Sequence, residues 1–421
     1  MVPKKSRYSR RAVIAGTAGT FTVGPKIVHA DNYTEILAAE GPDGYERWEK
    51  VPVEWLEHME ALKSAQADLM DKFSISFEPE KEQTRAPEGV ASVTIRQEGS
   101  PLEAPNGHVD GYGMPELVIV HESNITPPDN IAEEVKSDYN IPVSVEVEDP
   151  PGLDLSDVDP NEEIDPDPHA GTDVIFVYED IIVFYENGQR QETDRERYET
   201  KIESNQCLEG PHDPIPGGVI GQCTVAGRGS LSENTLGFPG RDGSGDIGMF
   251  HCSHVFYEEC NDDPEGQQLW EPYQNDNYIG QLLDYSYSAD WSFIDARQAD
   301  AGLANTIRGA TGNLVGHVTE AGLDSLISSN ETCYKRGRAT CFESGRMTER
   351  GISRTVCGFT ARHYTSSTMD RAGGDSGGPT FRYNSEDNQE AISIHRGRHS
   401  DGSLGYACYR IADIHNYQFG L

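Results

Sequence analysis

Gly373-Gly374-Asp375-Ser376-Gly377-Gly378-Pro379 is the stretch on which the reading of this chain turns. Glycines on both sides of a single serine let the backbone make a tight turn that side chains would obstruct. The N–H groups of Gly374 and Ser376 can then face one small pocket. Gly, Ser and Asp are also ordinary turn residues. A serine hydroxyl becomes a nucleophile only with a histidine to take its proton, a carboxylate to orient that histidine and N–H donors for the developing oxyanion, so those partners are sought next.

Both partners occur upstream. In Met249-Phe250-His251-Cys252-Ser253-His254-Val255-Phe256, His254 follows a small residue and precedes valine, which makes it the candidate base, with His251 as the alternative. A histidine in a strand is more often structural, and only its place before Ser376 raises this one. Ala289-Asp290-Trp291-Ser292-Phe293-Ile294 sets an acid against an apolar strand pattern, so Asp290 is the candidate orienting acid. Asp284 and Asp295 are the alternatives, and both read more simply as solvated acids.

The heptapeptide resembles the chymotrypsin family, in which GDSGGP surrounds the catalytic serine, and the flanking details are most similar to the bacterial streptogrisin-like branch. His254 stands where that family carries Thr-Ala-Ala-His, although His251-Cys252 replaces the usual Thr-Ala; Asp290 stands in a version of its Asn-Asp-x-Ala-Leu-Ile. The order His, Asp, Ser, at separations of 36 and 86 residues, suits His and Asp on one barrel and Ser on a second. It differs from the order in α/β-hydrolases and subtilisins. Two more stretches extend the likeness over about half the chain. Pro214-Ile215-Pro216-Gly217-Gly218-Val219 with Thr235-Leu236-Gly237-Phe238 looks like the opening of a bacterial protease domain. Tyr334-Lys335-Arg336-Gly337-Arg338-Ala339-Thr340 looks like the start of the second barrel, with Cys341 where glycine is usual.

The resemblance implies a Ser-His-Asp endopeptidase working through an acyl-enzyme, with polypeptide substrates, no metal and no cofactor. It implies a basic partner for Asp375, Arg338 or Lys335. Asp370, six residues before Ser376, occupies the place where trypsin-like enzymes keep the acid that binds Lys or Arg, while Arg371 beside it is poised to neutralise it. Basic, small and aromatic preferences stay open. A second reading is an inert or regulated relative that binds polypeptides in the same cleft, kept alive by the altered His251-Cys252 phrase.

Composition sets the surroundings. The chain of 421 residues carries 71 acids against 34 Lys and Arg, a net charge of -37, so a nucleic-acid partner is not expected. Such a surface repels itself in dilute buffer and is screened in concentrated salt, as in a halophile's protein. Ser9-Arg10-Arg11-Ala12-Val13-Ile14 opens a weakly apolar stretch that ends at Val28-His29-Ala30 and resembles a twin-arginine export signal. No later segment approaches the ~20 apolar residues of a membrane span, so a soluble, secreted product is expected. All eight cysteines lie between Cys207 and Cys408; of the 105 pairings only a local one, Cys252 with Cys260, is offered.

The expected architecture is an all-β catalytic domain of two antiparallel six-stranded β-barrels with the active site between them, preceded by an acidic α/β region. The boundaries are 1–30 for the signal, 31–203 for a propeptide or accessory domain, 204–300 for the first barrel and 301–421 for the second. Within the amino-terminal region, Asn32 to Asp71 reads as one or two amphipathic helices. Glu116–His121, the helix start at Pro128–Val135 and Ile141–Val147 read as a small α/β unit; Val174–Tyr178 and Ile181–Tyr185 read as a hairpin. The Asp- and Pro-rich residues 150–173 read as a linker that does not pack. Asp157, Asp159 and Asn161 alternate as calcium ligands would, but Glu162 and Pro168 stand where an EF-hand needs Gly and Glu. The amino-terminal region is the candidate propeptide inhibitor, removed by a cut between Ser204 and Pro216, or else a permanent acidic domain.

Overall fold

Apolar residues line Ile247–His251 and Trp291–Asp295, and the two strands pair antiparallel with Met249 opposite Ile294 and Phe250 opposite Phe293. Asn277–Ser286, Gln268–Glu271, Ile220–Thr224 and Leu231–Thr235 continue the same sheet outward from Trp291–Asp295, and Pro239–Arg241 flanks the other side. This computed structural model describes residues 32–72, 76–78, 83–85, 90–97, 107–122, 131–148, 169, 171–178, 181–186, 189–194, 207, 210–227, 230–357, 359–399 and 402–421. The export-signal stretch and the Asp157–Pro168 run lie outside the described residues.

The second half is built on Met347–Val356, Phe359–Ser367, Gly402–Ala407 and Gln389–His399, with Pro379–Tyr383 laddered onto the last of these and Cys333–Gly337 onto Pro379–Tyr383. Each half is thus built on its own, mainly antiparallel sheet. Phe250, Phe293, Trp291, Tyr364, Phe381 and Tyr406 belong to one buried cluster that crosses from one half to the other. The chain end ties the halves as well. After the helix Cys408–His415 the strand Gln418–Phe419 returns to the first half, with Phe419 opposite Gly240 and its ring 4.4 Å from that of Phe250.

Among the described residues the two large sheets hold eleven and fifteen strands because amino-terminal strands add to both. Tyr33–Gly41 pairs with Leu314–Val318, Val90–Arg96 with Met347–Val356, and Ile175–Val177 with Leu231–Thr235. Residues 33–421 cluster as one unit. Glu116–Glu122 and Val143–Glu148 run parallel with the helix Ile131–Tyr139 between them, the crossover that parallel strands require. Ile175–Val177 and Ile181–Glu186 form the expected hairpin.

Two local expectations change. Asn32 to Asp71 is a hairpin, Tyr33–Gly41 with Tyr45–Pro52, followed by a single helix, Val53–Lys72. Only the helix keeps the apolar stripe, burying Trp55, Met59, Leu62 and Leu69 against Ile95, Leu117 and Ile119. The hairpin owes its form to pairing with a strand almost 280 residues away, which local periodicity does not register. The pairing Cys252 with Cys260 is also corrected. The disulfides are Cys207–Cys341 and Cys260–Cys357, with Cα separations of 5.3 and 5.2 Å, and each joins a residue of 204–300 to one of 301–421. Cys252 is a buried free thiol in the core, and burial pushes it well above the ordinary thiol range, so it is inert. Among the described residues no helix is long and apolar enough to cross a membrane.

Candidate active site

The strand Ile247–His251 ends at Cys252, and a single 3-10 turn, His254–Phe256, aims His254 back across the sheet. Asp290, held at φ 53° in the turn before Trp291–Asp295, meets it there. His254 Nδ1 lies 2.7 Å from Asp290 Oδ2 and its Nε2 lies 2.9 Å from Ser376 Oγ. Asp290 Oδ1 also accepts the backbone N–H groups of Ser253 at 3.1 Å and His254 at 2.9 Å, which fixes the carboxylate on the histidine's own turn. Arg396, from Gln389–His399, donates to Asp290 Oδ2 at 2.7 Å. Burial alone would raise the Asp290 carboxyl, but His254 and Arg396 outweigh it and hold it well below the usual range, so it stays ionised.

The alternatives lie elsewhere. His251 Nε2 is 2.9 Å from Asn234 Oδ1. Asp295 is bound to Arg297, and Asp284 accepts from Tyr417. Asp370 is exposed, and Arg371, expected to neutralise it, instead reaches Asp173 Oδ1 at 3.1 Å.

The loop carrying Ser376 is pinned from both halves. Thr235 donates its hydroxyl to Gly374 O at 2.7 Å and its N–H to Ser376 O at 2.9 Å; Gly377 donates to His395 O at 2.8 Å. Gly374 has φ +92°, a conformation that L side chains rarely adopt, and this aims its N–H into the cleft, where it meets Asp173 O at 2.6 Å. Of the two basic candidates, Lys335 donates to Asp375 Oδ2 at 2.8 Å with both groups fully buried, whereas Arg338 pairs with Glu233. Thr340 and the N–H groups of Ala339 and Ala372 add further donors to Asp375. Burial would raise the Asp375 carboxyl, but Lys335 and His395 prevail and lower it.

Ser376 and His254 are both 0% exposed. His169, Thr172 and Asp173 cover them and are themselves buried, so the described end of the expected linker is packed. Its polar groups find partners there: His169 Nε2 on Glu258 O, Thr172 on His169 O and Asp173 on Arg371 and His395. The expectation for 150–173 rested on composition, which does not see those partners.

Arg396, His395 and Thr235 were not singled out from the sequence. Basic residues at 395, 396, 398 and 399 on one strand of so acidic a chain were the available signal for the first two.

His169, His251 and His317 are buried, and His363 is partly buried against Tyr409. Burial pushes His169 down to about 3, His251 to about 4, His317 to about 4 and His363 to about 3, so each stays neutral when folded. Unfolded, each takes a proton near pH 6.5. Below that pH the unfolded chain binds protons that the fold refuses, so stability falls as pH drops from about 6.5 toward 4, by roughly 1 kcal/mol per pH unit for each histidine. Urea midpoints at constant high salt are expected to be clearly lower at pH 5 than at pH 7.5; equal midpoints would contradict this burial.

No protein-family model matches the chain, and no curated protein is similar to it in sequence. Solved structures resemble its carboxyl-terminal half. The Nocardiopsis protease is 18% identical, with TM-score 0.38, over 50% of this chain and 100% of that one. Thermobifida fusca protease A is 16% identical, with TM-score 0.37, over 49% and 98%. Cellulomonas bogoriensis chymotrypsin is 18% identical, with TM-score 0.36, over 49% and 98%. The reading of the site rests on its own geometry.

Proposed function

We propose that the chain is a secreted serine endopeptidase in which Ser376 is the nucleophile, His254 the general base and acid, and Asp290 the orienting carboxylate. The observation that carries this is the unbroken line from Asp290 Oδ2 through His254 to Ser376 Oγ, at 2.7 and 2.9 Å. Asp290 keeps the Nδ1 proton in place, leaving Nε2 to accept the serine proton as Oγ attacks a peptide carbonyl. The oxyanion that forms is met by the N–H of Gly374, with that of Ser376 as the second donor. His254 then protonates the leaving amine, the C–N bond breaks, and water resolves the acyl-enzyme by the reverse proton path.

The twin-arginine leader and the acid-rich composition support export into a salty medium. The amino-terminal region would act as an inhibitor of the cleft, a role supported by the buried contacts of His169, Thr172 and Asp173 over the site.

His254→Ala removes the base and leaves the pinned loop around Ser376 in place. It is expected to cut the release of new amino termini from a denatured protein substrate by at least roughly 10⁴-fold. Equal hydrolysis by the variant would sink the assignment. Binding without hydrolysis by the native chain would favour an inert binder instead.

A further inference from the structure

From the geometry of residues 171–177 we infer that the cleft holds the chain's own substrate. The bond to be cut is Asp173–Val174, and the pocket beside it, formed by Arg371 and His395, selects acidic side chains on the amino side of the cut. This rests on the peptidase reading above and names the substrate class of that same site.

The segment lies across Ser376 as a strand bound to both halves of the fold. On the amino side, Arg398 N–H donates to Gly171 O at 2.8 Å and Asp173 N–H to Arg396 O at 3.4 Å, with Thr172 bridged antiparallel to Gly397. On the carboxyl side, Ile175 to Val177 pair antiparallel with Glu233 to Leu231. Between the two ladders the Asp173 carbonyl points at Gly374 N–H, 2.6 Å away. Ser376 Oγ lies 3.5 Å from the same Arg396 oxygen that accepts the Asp173 N–H, so the nucleophile and this peptide group share one partner. An extended peptide with its carbonyl on the oxyanion donor beside the serine is how a substrate must lie. The fit is close: a Cβ on Gly397 would collide with Gly171 O and Thr172, and Ile175 lies against Gly373 and Gly374.

The side chain of Asp173 is held in the same manner. Arg371 Nη1 reaches Oδ1 at 3.1 Å and His395 Nε2 reaches Oδ2 at 2.9 Å, with Asp173 1% and His395 0% exposed. Ser403 Oγ lies 2.8 Å from His395 Nδ1; a hydroxyl donating there leaves the proton on Nε2, where it is given to the carboxylate. A half-buried guanidinium and a buried imidazole N–H paired to one carboxylate would reject a Lys or Arg side chain by charge and leave their own groups unpaired against Phe.

The reaction balances with water as the only added reactant. Ser376 Oγ bonds to the Asp173 carbonyl carbon and its proton passes to His254; the bond to Val174 N breaks as His254 protonates that nitrogen. Water then releases the new Asp173 carboxylate. No disulfide joins the pieces, since the first cysteine is Cys207, so residues up to 173 stay attached through non-covalent contacts alone, among them strand pairing and the ion pairs Arg47–Glu390 and Lys63–Asp324.

The full chain and its Ser376→Ala, Asp173→Lys and Arg371→Ala variants are to be purified in high salt, with folding checked by circular dichroism. New termini are read by mass spectrometry, and four peptides differing only in Asp, Glu, Arg or Phe before the cut are assayed. The native chain is expected to yield a terminus beginning Val174-Ile175-Phe176, and Ser376→Ala none. Asp173→Lys should stay whole at this bond, be driven from the pocket by Arg371, and react with a fluorophosphonate. Asp and Glu peptides should be preferred, and Arg371→Ala should lower that preference over Phe by roughly 10- to 100-fold. A terminus elsewhere, no terminus at Val174, a cut at this bond in Asp173→Lys, or a preference for Arg or Phe would overturn the inference. If Ser376 still reacts with the fluorophosphonate in those cases, the peptidase reading stands without it. If neither the native chain nor folded Asp173→Lys reacts, both fall.

Discussion

Asp290→Asn is expected to lower kcat by roughly 10⁴-fold while the chain still folds, because Asp290 receives only donors. His254 Nδ1, the N–H groups of Ser253 and His254, and Arg396 Nη1 all point at its two oxygens. An amide supplies one oxygen and one NH2, so one donor must face another. If the NH2 faces the histidine, Nδ1 becomes an acceptor, the proton moves to Nε2, and the ring can no longer take the proton of Ser376. If it faces Arg396, a buried guanidinium loses its counter-charge. Stopped-assay kcat values with the peptide the native enzyme cuts best, beside a thermal midpoint for each protein, separate the two results. A loss smaller than tenfold would mean that Asp290 does not orient the base.

Lys335→Ala is expected to cost about 3–5 kcal/mol of stability, a large share of the 5–15 kcal/mol typical of a folded domain. Lys335 and Asp375 are both fully buried, and removing the ammonium leaves a carboxylate that no water reaches. The deficit depends on pH in a defined direction. In the native chain Asp375 titrates below its ordinary value, so its contribution is present above the usual carboxylate range and is lost as pH falls through the lowered value. Without Lys335 the variant escapes by protonating Asp375, so the gap between the two proteins is widest near neutrality and narrows in acid. Urea denaturation at pH 7 and pH 4.5 measures both. Because Asp375 lies between Gly374 and Ser376, a fall in kcat should accompany the loss. A change below about 1 kcal/mol at pH 7 would contradict the pairing.

The turn at Ser376 was legible because its backbone needs those residue types: Gly374 has φ +92° and Gly377 φ +87°. His254 and Asp290 were legible from their neighbours, a small residue before the histidine and an apolar strand after the acid. Lys335 could not be chosen over Arg338 without the pleat of Cys333–Gly337, which turns residues 333, 335 and 337 inward. The disulfides and the hairpin at Tyr33–Pro52 depend on contacts across 97 to roughly 280 residues, beyond the reach of spacing and periodicity. The acidic composition of 150–173 pointed to a solvated linker, and its described end is buried because two basic side chains and one backbone donor wait for it across the cleft.

The proposed activity requires Ser376 to be an activated nucleophile. The most direct test is fluorophosphonate treatment, in high salt, of the folded native chain and of Asp173→Lys, whose cleft is cleared, followed by peptide mapping. A single phosphonylated site is expected at Ser376, absent when Ser376→Ala or His254→Ala is added to Asp173→Lys. Absence of label at Ser376 from both the native chain and Asp173→Lys, each folded by circular dichroism, or labelling of Asp173→Lys undiminished when His254→Ala is added, would contradict it.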